Sequence, residues 1–191
     1  MAHVFYTQLL LEKLVFVPAG RPYHKALEGN ASTEDRYNMV ELAIADHTEY
    51  TLTDCELMRI GDTYTVDTLM LFRDKLGSEG EMWWLMGADS LLQLHTWYQY
   101  LEIFQLANIA VVARDGLDLA ALAEPVAERV QAGLAINLDA PVNHGKIYFL
   151  DMPEYDISSS QVRKIAGEGE DLTPYLPTLV YQYIQDRHLY R

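Results

Sequence analysis

Short apolar runs alternate with stretches of helical periodicity along most of the chain. The runs are continuous and bounded by turn residues, as expected for strands of a parallel sheet with both faces covered. They lie at residues 14–17, 82–86, 108–113 and 146–151. Strands that alternate with helices indicate an α/β fold, with a Rossmann-like, doubly wound and mainly parallel sheet.

Apolar residues between the strands recur every three or four positions, which indicates helices. The pattern predicts helices over residues 2–11, 64–75 and 117–132, and a closing helix that begins at Pro177. Ser32 and Asp35 have the spacing of a capping box, which predicts another helix start. Pro125 limits or kinks the third helix. Two segments beside Cys55, residues 50–53 and 56–60, are predicted to be extended.

Three consecutive serines at residues 158–160 stand where a helix should follow the last strand. Serine is a favoured N-cap residue, and a helix N-terminus readily holds phosphate. Arg163 lies about one turn further on and can reach the same oxygens with its forked guanidinium. From these residues alone, an ordinary capped helix with a surface arginine is the commoner explanation.

Ligands of doubly wound sheets bind outside the carboxyl ends of the strands. In this chain, that rule predicts one functional edge. It is formed by residues 18–25, 87–90 and 158–163 together with Arg114.

Composition and charge restrict the classes of partner. A length of 191 residues fits one domain, and a formal net charge of −14 argues against nonspecific binding to nucleic acid or an anionic membrane. No apolar run approaches the roughly 18 residues of a membrane span. The single cysteine excludes an intramolecular disulfide and fits a reducing compartment, so we expect a cytoplasmic location.

An ordered set of short motifs covers essentially the whole chain. They are FVPAGRPYHK at 16–25, EDR at 34–36, YTVDT at 64–68, MGADSL at 86–91, TWY at 96–98, VVAR at 111–114, ISSSQVR at 157–163 and RHLY at 187–190. Each motif is weak alone, but in this order the set resembles the bacterial nicotinate-nucleotide adenylyltransferase family of nucleotidyltransferases.

The resemblance implies an enzyme of NAD biosynthesis with a single nucleotidyltransferase domain over residues 1–191. Its reaction transfers adenylate from ATP, accompanied by Mg²⁺, to nicotinate mononucleotide, giving deamido-NAD and pyrophosphate. We expect small-molecule substrates, no nucleic acid and no membrane; a homo-oligomeric state is left open.

The resemblance also implies roles for individual residues. The matching ATP-binding positions are Gly87, Asp89, Ile157, Ser158, Ser159 and Arg163. The matching positions for the acceptor substrate are His24, Lys25, Tyr64, Thr65, Asp89, Trp97 and Tyr98. No catalytic residue is assigned, because the family's His-x-Gly-His is absent from residues 1–191. Phosphoryl-type transfer depends mainly on positioning and charge stabilisation, here by Arg163 and Lys25.

Several of these residues also have an ordinary structural explanation. Trp97 and Tyr98 suit core aromatics, and Asp89 suits an N-cap for the helix after its strand. His24 and Lys25, on a loop rich in Pro and Gly, suit a solvated surface. The ordered motifs favour the functional roles.

One departure from the family pattern affects the expected activity. The family begins with a strand and a Gly-Gly-x-Phe-Asp-Pro-x-His-x-Gly-His loop that grips the triphosphate, and residues 1–191 contain neither. Ser160 also stands where threonine is usual. We therefore expect a shortened form of a competent enzyme. The alternatives are a noncatalytic relative that binds a mononucleotide, or an adenylyltransferase that prefers nicotinamide mononucleotide or phosphopantetheine.

Overall fold

A computed structural model describes residues 2–23, 29–112, 118–133, 144–151 and 157–191. The chain divides into two compact units, which are described one at a time. The first unit comprises Met1–Leu11 and Tyr64–Glu154, and the second comprises Glu12–Thr63 and Tyr155–Arg191. The assignment of the whole chain to a single domain stays a prediction.

Helices and strands alternate as the sequence pattern predicts. The helices are α1 (Ala2–Gln8), α2 (Thr33–Ile44), α3 (Thr65–Leu76), α4 (Ala88–Gln93), α5 (Tyr100–Leu106), α6 (Glu124–Gly133), α7 (Ser159–Glu168) and α8 (Thr178–Asp186). The strands are β1 (Leu14–Phe16), β2 (Tyr50–Leu52), β3 (Trp83–Gly87), β4 (Asn108–Val112) and β5 (Ile147–Leu150). Short 3₁₀ turns cover Leu94–Thr96 and Leu119–Ala121.

The first unit contains the parallel sheet β3-β4-β5, which confirms the predicted α/β class. Gly87 of β3 pairs with Val112 of β4, and Val112 pairs with Leu150 of β5, so the carboxyl ends of the three strands are level. Every residue of β4 is buried, as expected for the central strand of a sheet covered on both faces.

Helix α3 is held in the first unit by its apolar face and by Arg73. Val66 and Leu69 are almost fully buried in the same core cluster as the sheet residues. The Arg73 Nε donates to the Leu106 carbonyl oxygen at 3.1 Å, and its Nη1 donates to the Gly77 carbonyl oxygen at 3.0 Å. Arg73 therefore satisfies carbonyl groups that the ends of α3 and α5 leave without helical partners.

The second unit contains the parallel pair β1-β2, with α2 packed against both β2 and α8. The predicted capping box is confirmed: the Ser32 Oγ accepts from the Asp35 N–H at 3.0 Å, and the Asp35 Oδ2 accepts from the Ser32 N–H at 2.9 Å. This reciprocal pair fixes the point at which α2 begins.

Some of the predicted elements are wrong in type or extent. Residues 56–60 are not extended, because a turn forms there, with the Leu57 and Met58 N–H groups donating to the Asp54 carbonyl oxygen. The continuous helix predicted over residues 117–132 is a 3₁₀ turn followed by α6, with Pro125 in the first turn of α6. Pro177 is the N-cap of α8 rather than its first helical residue. Within the described residues, no helix is both long and apolar enough to cross a bilayer.

Candidate active site

The start of α3 presents backbone N–H groups without a side-chain cap. Tyr64 is the N-cap residue in an extended conformation, and its side chain makes no capping hydrogen bond. The first helical bond is the Thr68 N–H to the Tyr64 carbonyl oxygen, at 3.4 Å. Within the described residues, the N–H groups of Thr65 and Val66 have no acceptor. This arrangement suits a negatively charged ligand, because a helix N-terminus carries partial positive charge.

Trp97 and Tyr98 differ in exposure, so the interpretation of these residues as core aromatics must be judged for each one separately. Trp97 is half-buried against the core cluster of the first unit and ends the 3₁₀ turn. Tyr98 is 49% exposed and therefore is not a core aromatic. Its ring lies 4.6 Å from the ring of Tyr64, with the two planes inclined at 43°. The structure thus brings two of the predicted acceptor residues, Tyr64 and Tyr98, into one aromatic surface.

Gly87 and Asp89 lie at the carboxyl end of β3, where the strand passes into α4. Gly87 is the N-cap of α4 and Asp89 is in its first turn, so the N-cap explanation for Asp89 is wrong. A Cβ placed on Gly87 would meet no atom within 4 Å, and its φ of −80° suits any residue. Neither packing nor conformation within the described structure requires glycine here, whereas close approach of a ligand to the backbone would.

The predicted helix start at the serines is confirmed in the second unit. Ser158 is the N-cap of α7, and its Oγ accepts from the Gln161 N–H at 3.2 Å while the Gln161 Oε1 accepts from the Ser158 N–H at 2.6 Å. Gln161 was not among the predicted functional residues, although the Ser-x-x-Gln spacing is a recognisable capping box. Ile157, one residue before the cap, is half-buried.

The capping box leaves the first turn of α7 open to an anion. Ser159 and Ser160 are exposed, and their N–H groups have no acceptor within the described residues. The Arg163 Nη2 donates to the Ser160 Oγ at 3.1 Å, so the guanidinium is folded back over this turn. Serine N–H groups and a guanidinium at a helix start are a suitable cradle for phosphate oxygens.

The loop that leads to His24 and Lys25 is fixed from two sides. The Arg36 guanidinium donates to the carbonyl oxygens of Ala19 and Gly20, and burial lowers the pKa of Arg36. The Glu56 Oε2 accepts from the Gly20 N–H at 3.3 Å. His24 and Lys25 themselves lie outside the described residues, as does Arg114.

Across the described ranges, no three His, Cys, Asp or Glu side chains converge as a metal site. The predicted site residues are divided between the units: those from Tyr64 to Tyr98 belong to the first, and those from Ile157 to Arg163 to the second.

Comparison with known proteins gives concordant results at the level of sequence. The cytidylyltransferase-like family profile matches residues 3–165. The chain is 36% identical over 191 residues to the probable nicotinate-nucleotide adenylyltransferase of Neisseria meningitidis serogroup B, covering 100% of this chain and 89% of that protein. It is also 36% identical to the protein of that description from Chromobacterium violaceum, with coverage of 100% and 90%.

Solved structures with the same fold are more distant in sequence. Plasmodium falciparum nicotinic acid mononucleotide adenylyltransferase complexed with NaAD superposes with a TM-score of 0.68 at 18% identity, covering 98% of this chain and 90% of that one. The same protein complexed with APC gives a TM-score of 0.66. These likenesses establish a shared fold.

Proposed function

The chain belongs to the cytidylyltransferase-like family and, within it, to the nicotinate-nucleotide adenylyltransferases, and we propose on this basis that it adenylates nicotinate mononucleotide in NAD biosynthesis. The products are deamido-NAD and pyrophosphate. The observation that carries the proposal is 36% identity over the full chain to such adenylyltransferases from two bacterial genera.

The chemistry is an in-line displacement at the α-phosphorus of ATP. A phosphate oxygen of the mononucleotide forms a bond to that phosphorus, the bond to the bridging oxygen breaks, and pyrophosphate leaves with its negative charge. Mg²⁺ enters with ATP as part of the nucleotide substrate. The protein's task is to align the two phosphates and offset the charge of the leaving group, and neither task requires a covalent intermediate.

The start of α7 supports a role in holding the triphosphate. The N–H groups of Ser159 and Ser160 lie in the exposed first turn of α7, and the Arg163 Nη2 donates to the Ser160 Oγ at 3.1 Å. Ser158 and Gln161 hydrogen-bond to each other in the capping box, so the other N–H donors of the first turn remain available for phosphate oxygens. Arg163, together with Lys25, then offsets charge on pyrophosphate as it leaves.

The start of α3 supports recognition of the nicotinate carboxylate. Its N–H group at Thr65 lacks a side-chain cap, and the aromatic surface of Tyr64 and Tyr98 lies beside it. The half-buried indole of Trp97 is the proposed stacking partner for the pyridine ring. An uncapped helix start favours an anion over a neutral amide, and we therefore propose that nicotinate mononucleotide is preferred over nicotinamide mononucleotide.

Pyrophosphate release by the purified chain tests this proposal. The assay uses ATP and Mg²⁺ with either nicotinate or nicotinamide mononucleotide, and a parallel sample carries the family's strand and His-x-Gly-His loop ahead of Met1. We expect at least one of the two samples, unextended or extended, to release pyrophosphate, and to do so faster with nicotinate mononucleotide than with nicotinamide mononucleotide. Folded samples that both release no pyrophosphate would refute the proposal.

Two tryptophan variants test the acceptor site. Trp97→Ala should raise the KM for nicotinate mononucleotide about tenfold, the upper end of what an aromatic pair contributes, with little change in the KM for ATP. Trp83→Ala is the matched control, because Trp83 is also half-buried in the first unit but contacts Tyr148. Equal losses for both substrates in Trp97→Ala would indicate a structural tryptophan.

A further inference from the structure

Residues 187–190, here called the tail, are tied to the second unit along their length. The Arg187 Nη2 forms an ion pair with the Asp35 Oδ1 at 3.1 Å, and Asp35 is only 3% exposed. Leu189 is 3% exposed and packs with Val180 and Ile184 of α8 in one apolar cluster. Residues that follow a last helix commonly fray, so this degree of attachment indicates a specific use.

Asn30 clamps the backbone of the tail at two points. Its Nδ2 donates to the His188 carbonyl oxygen at 3.3 Å, and its Oδ1 accepts from the Tyr190 N–H at 2.6 Å. His188 and Tyr190 both have left-handed backbone conformations, with φ of 51° and 65°. Non-glycine residues rarely adopt this region, and such strain persists where the surroundings fix it.

The tightly fixed tail places the Tyr190 ring beside Arg163. A Cβ on Gly29 would lie 2.8 Å from the Tyr190 Cδ1 and 4.0 Å from the Arg163 Cδ, so both side chains flank the same point. A Cβ on Gly167 of α7 would lie 2.8 Å from the Tyr190 carbonyl oxygen. Glycine at position 167 therefore allows the tail to approach α7 closely, and glycine at position 29 leaves room for the Tyr190 ring next to the stem of Arg163.

The environment of the phenol favours its neutral form. Burial raises the pKa of Tyr190, although the positive charges of Arg163 and Arg36 act in the opposite direction. A neutral, half-buried ring beside a guanidinium stem restricts the side chain without competing for its charge.

We propose that Tyr190 is a positioning residue for Arg163. Its ring, held by the tail, confines the arginine stem so that the guanidinium stays over the first turn of α7 at Ser160. This inference rests on the proposed function, which assigns that turn to the triphosphate of ATP. A preorganised arginine loses less conformational freedom when phosphate binds, so removal of its support weakens nucleotide binding even though Tyr190 does not touch the ligand.

Titration calorimetry with Mg²⁺ and ATP tests the inference in a double-mutant cycle. Tyr190→Ala should weaken ATP binding about tenfold, whereas Tyr190→Phe, which keeps the ring, should stay within about twofold of wild type. In an Arg163→Met background, which keeps the stem but lacks the guanidinium, Tyr190→Ala should have no further effect. Tyr175→Ala is the matched control, since Tyr175 is 47% exposed in the same unit, and it should bind ATP as wild type does.

Two results would overturn the inference: full additivity of Tyr190→Ala and Arg163→Met, or an equal loss of nicotinate mononucleotide binding in Tyr190→Ala. If Tyr190→Ala does not fold, Asn30→Ala takes its place, because this variant removes the clamp on the tail but keeps the Tyr190 ring. Asn30→Ala must then weaken ATP binding in the wild-type background and have no further effect in the Arg163→Met background. If the wild-type chain binds ATP but neither it nor the extended sample releases pyrophosphate, the proposed function is refuted and this cycle can still be interpreted. If neither folded sample binds ATP, both the proposed function and this inference are refuted.

Discussion

Replacement of Asp35 by asparagine would remove a buried charge that several donors hold in place. One carboxylate oxygen accepts from the Ser32 N–H at 2.9 Å and the Ser32 Oγ at 2.7 Å. The other accepts from the Tyr183 hydroxyl at 2.9 Å and the Arg187 Nε at 3.2 Å. An amide keeps only one acceptor oxygen and turns an NH₂ group toward donors, so part of this network must break.

The magnitude follows from the ionisation of Asp35. The hydrogen bond from the Ser32 side chain is the largest cause that lowers its pKa from 3.8 to about 2; Tyr183 and Arg187 act in the same direction, and burial opposes them. Because the pKa is lower in the folded state, the stabilisation is complete above the unfolded pKa, near pH 4, and is lost as the pH falls through 2. Linkage gives about 2 kcal/mol in total, of which about 1 kcal/mol is lost by pH 3.

Urea unfolding at pH 6 and pH 3 measures this contribution. Asp35→Asn should lower the free energy of unfolding by about 2 kcal/mol at pH 6 but by only about 1 kcal/mol at pH 3. Asp46→Asn, at an exposed aspartate of the same unit, should change stability by less than about 0.5 kcal/mol at either pH. A gap between wild type and Asp35→Asn that is the same at both pH values would refute the reasoning.

Three substitutions test other parts of the structure. Gly87→Ala should change the free energy of unfolding by less than about 0.5 kcal/mol, because the added Cβ meets open space, yet raise the KM for ATP about tenfold; an unchanged KM would remove Gly87 from the site. Gly20→Ala should destabilise by about 2 kcal/mol or more in urea unfolding, since its Cβ would lie 2.3 Å from the Glu56 carbonyl oxygen, and wild-type stability would contradict that packing. Ser158→Ala should lower the free energy of unfolding by about 1 kcal/mol, because the cap to the Gln161 N–H is lost, whereas Ser158→Thr should retain most of the wild-type stability. Equal losses of stability in both variants would argue against the cap.

Local chemistry explains why much of the fold was predictable. The capping boxes at Ser32 and Ser158 need only residues three positions apart, and the strand at 108–112 needs only a continuous apolar run between polar residues. The apolar run at residues 82–86 also located the end of β3 correctly at Gly87. These features depend on neighbours in sequence, so a single chain is sufficient to reveal them.

Of the features that escaped prediction, the turn at residues 56–60 is local, whereas the others depend on residues distant in sequence. Residues 56–60 have an apolar pattern that suits a strand, but hydrogen bonds to the Asp54 carbonyl oxygen form a turn instead. The ring contact between Tyr64 and Tyr98 spans 34 positions and has no signature in either segment. The same is true of Asn30 and Tyr190, because nothing near Asn30 indicates which backbone it will bind.

The packing of α2 against α8 sets the order in which the second unit can form during synthesis. Met39 and Leu42 of α2 pack on a cluster whose core includes Val180 and Ile184 of α8. At about 5–20 residues per second, roughly 7 to 28 s separate the translation of these two helices. During that interval the apolar face of α2 has no native partner from α8, so nascent chains at this stage are the form most exposed to chaperones, proteases and aggregation.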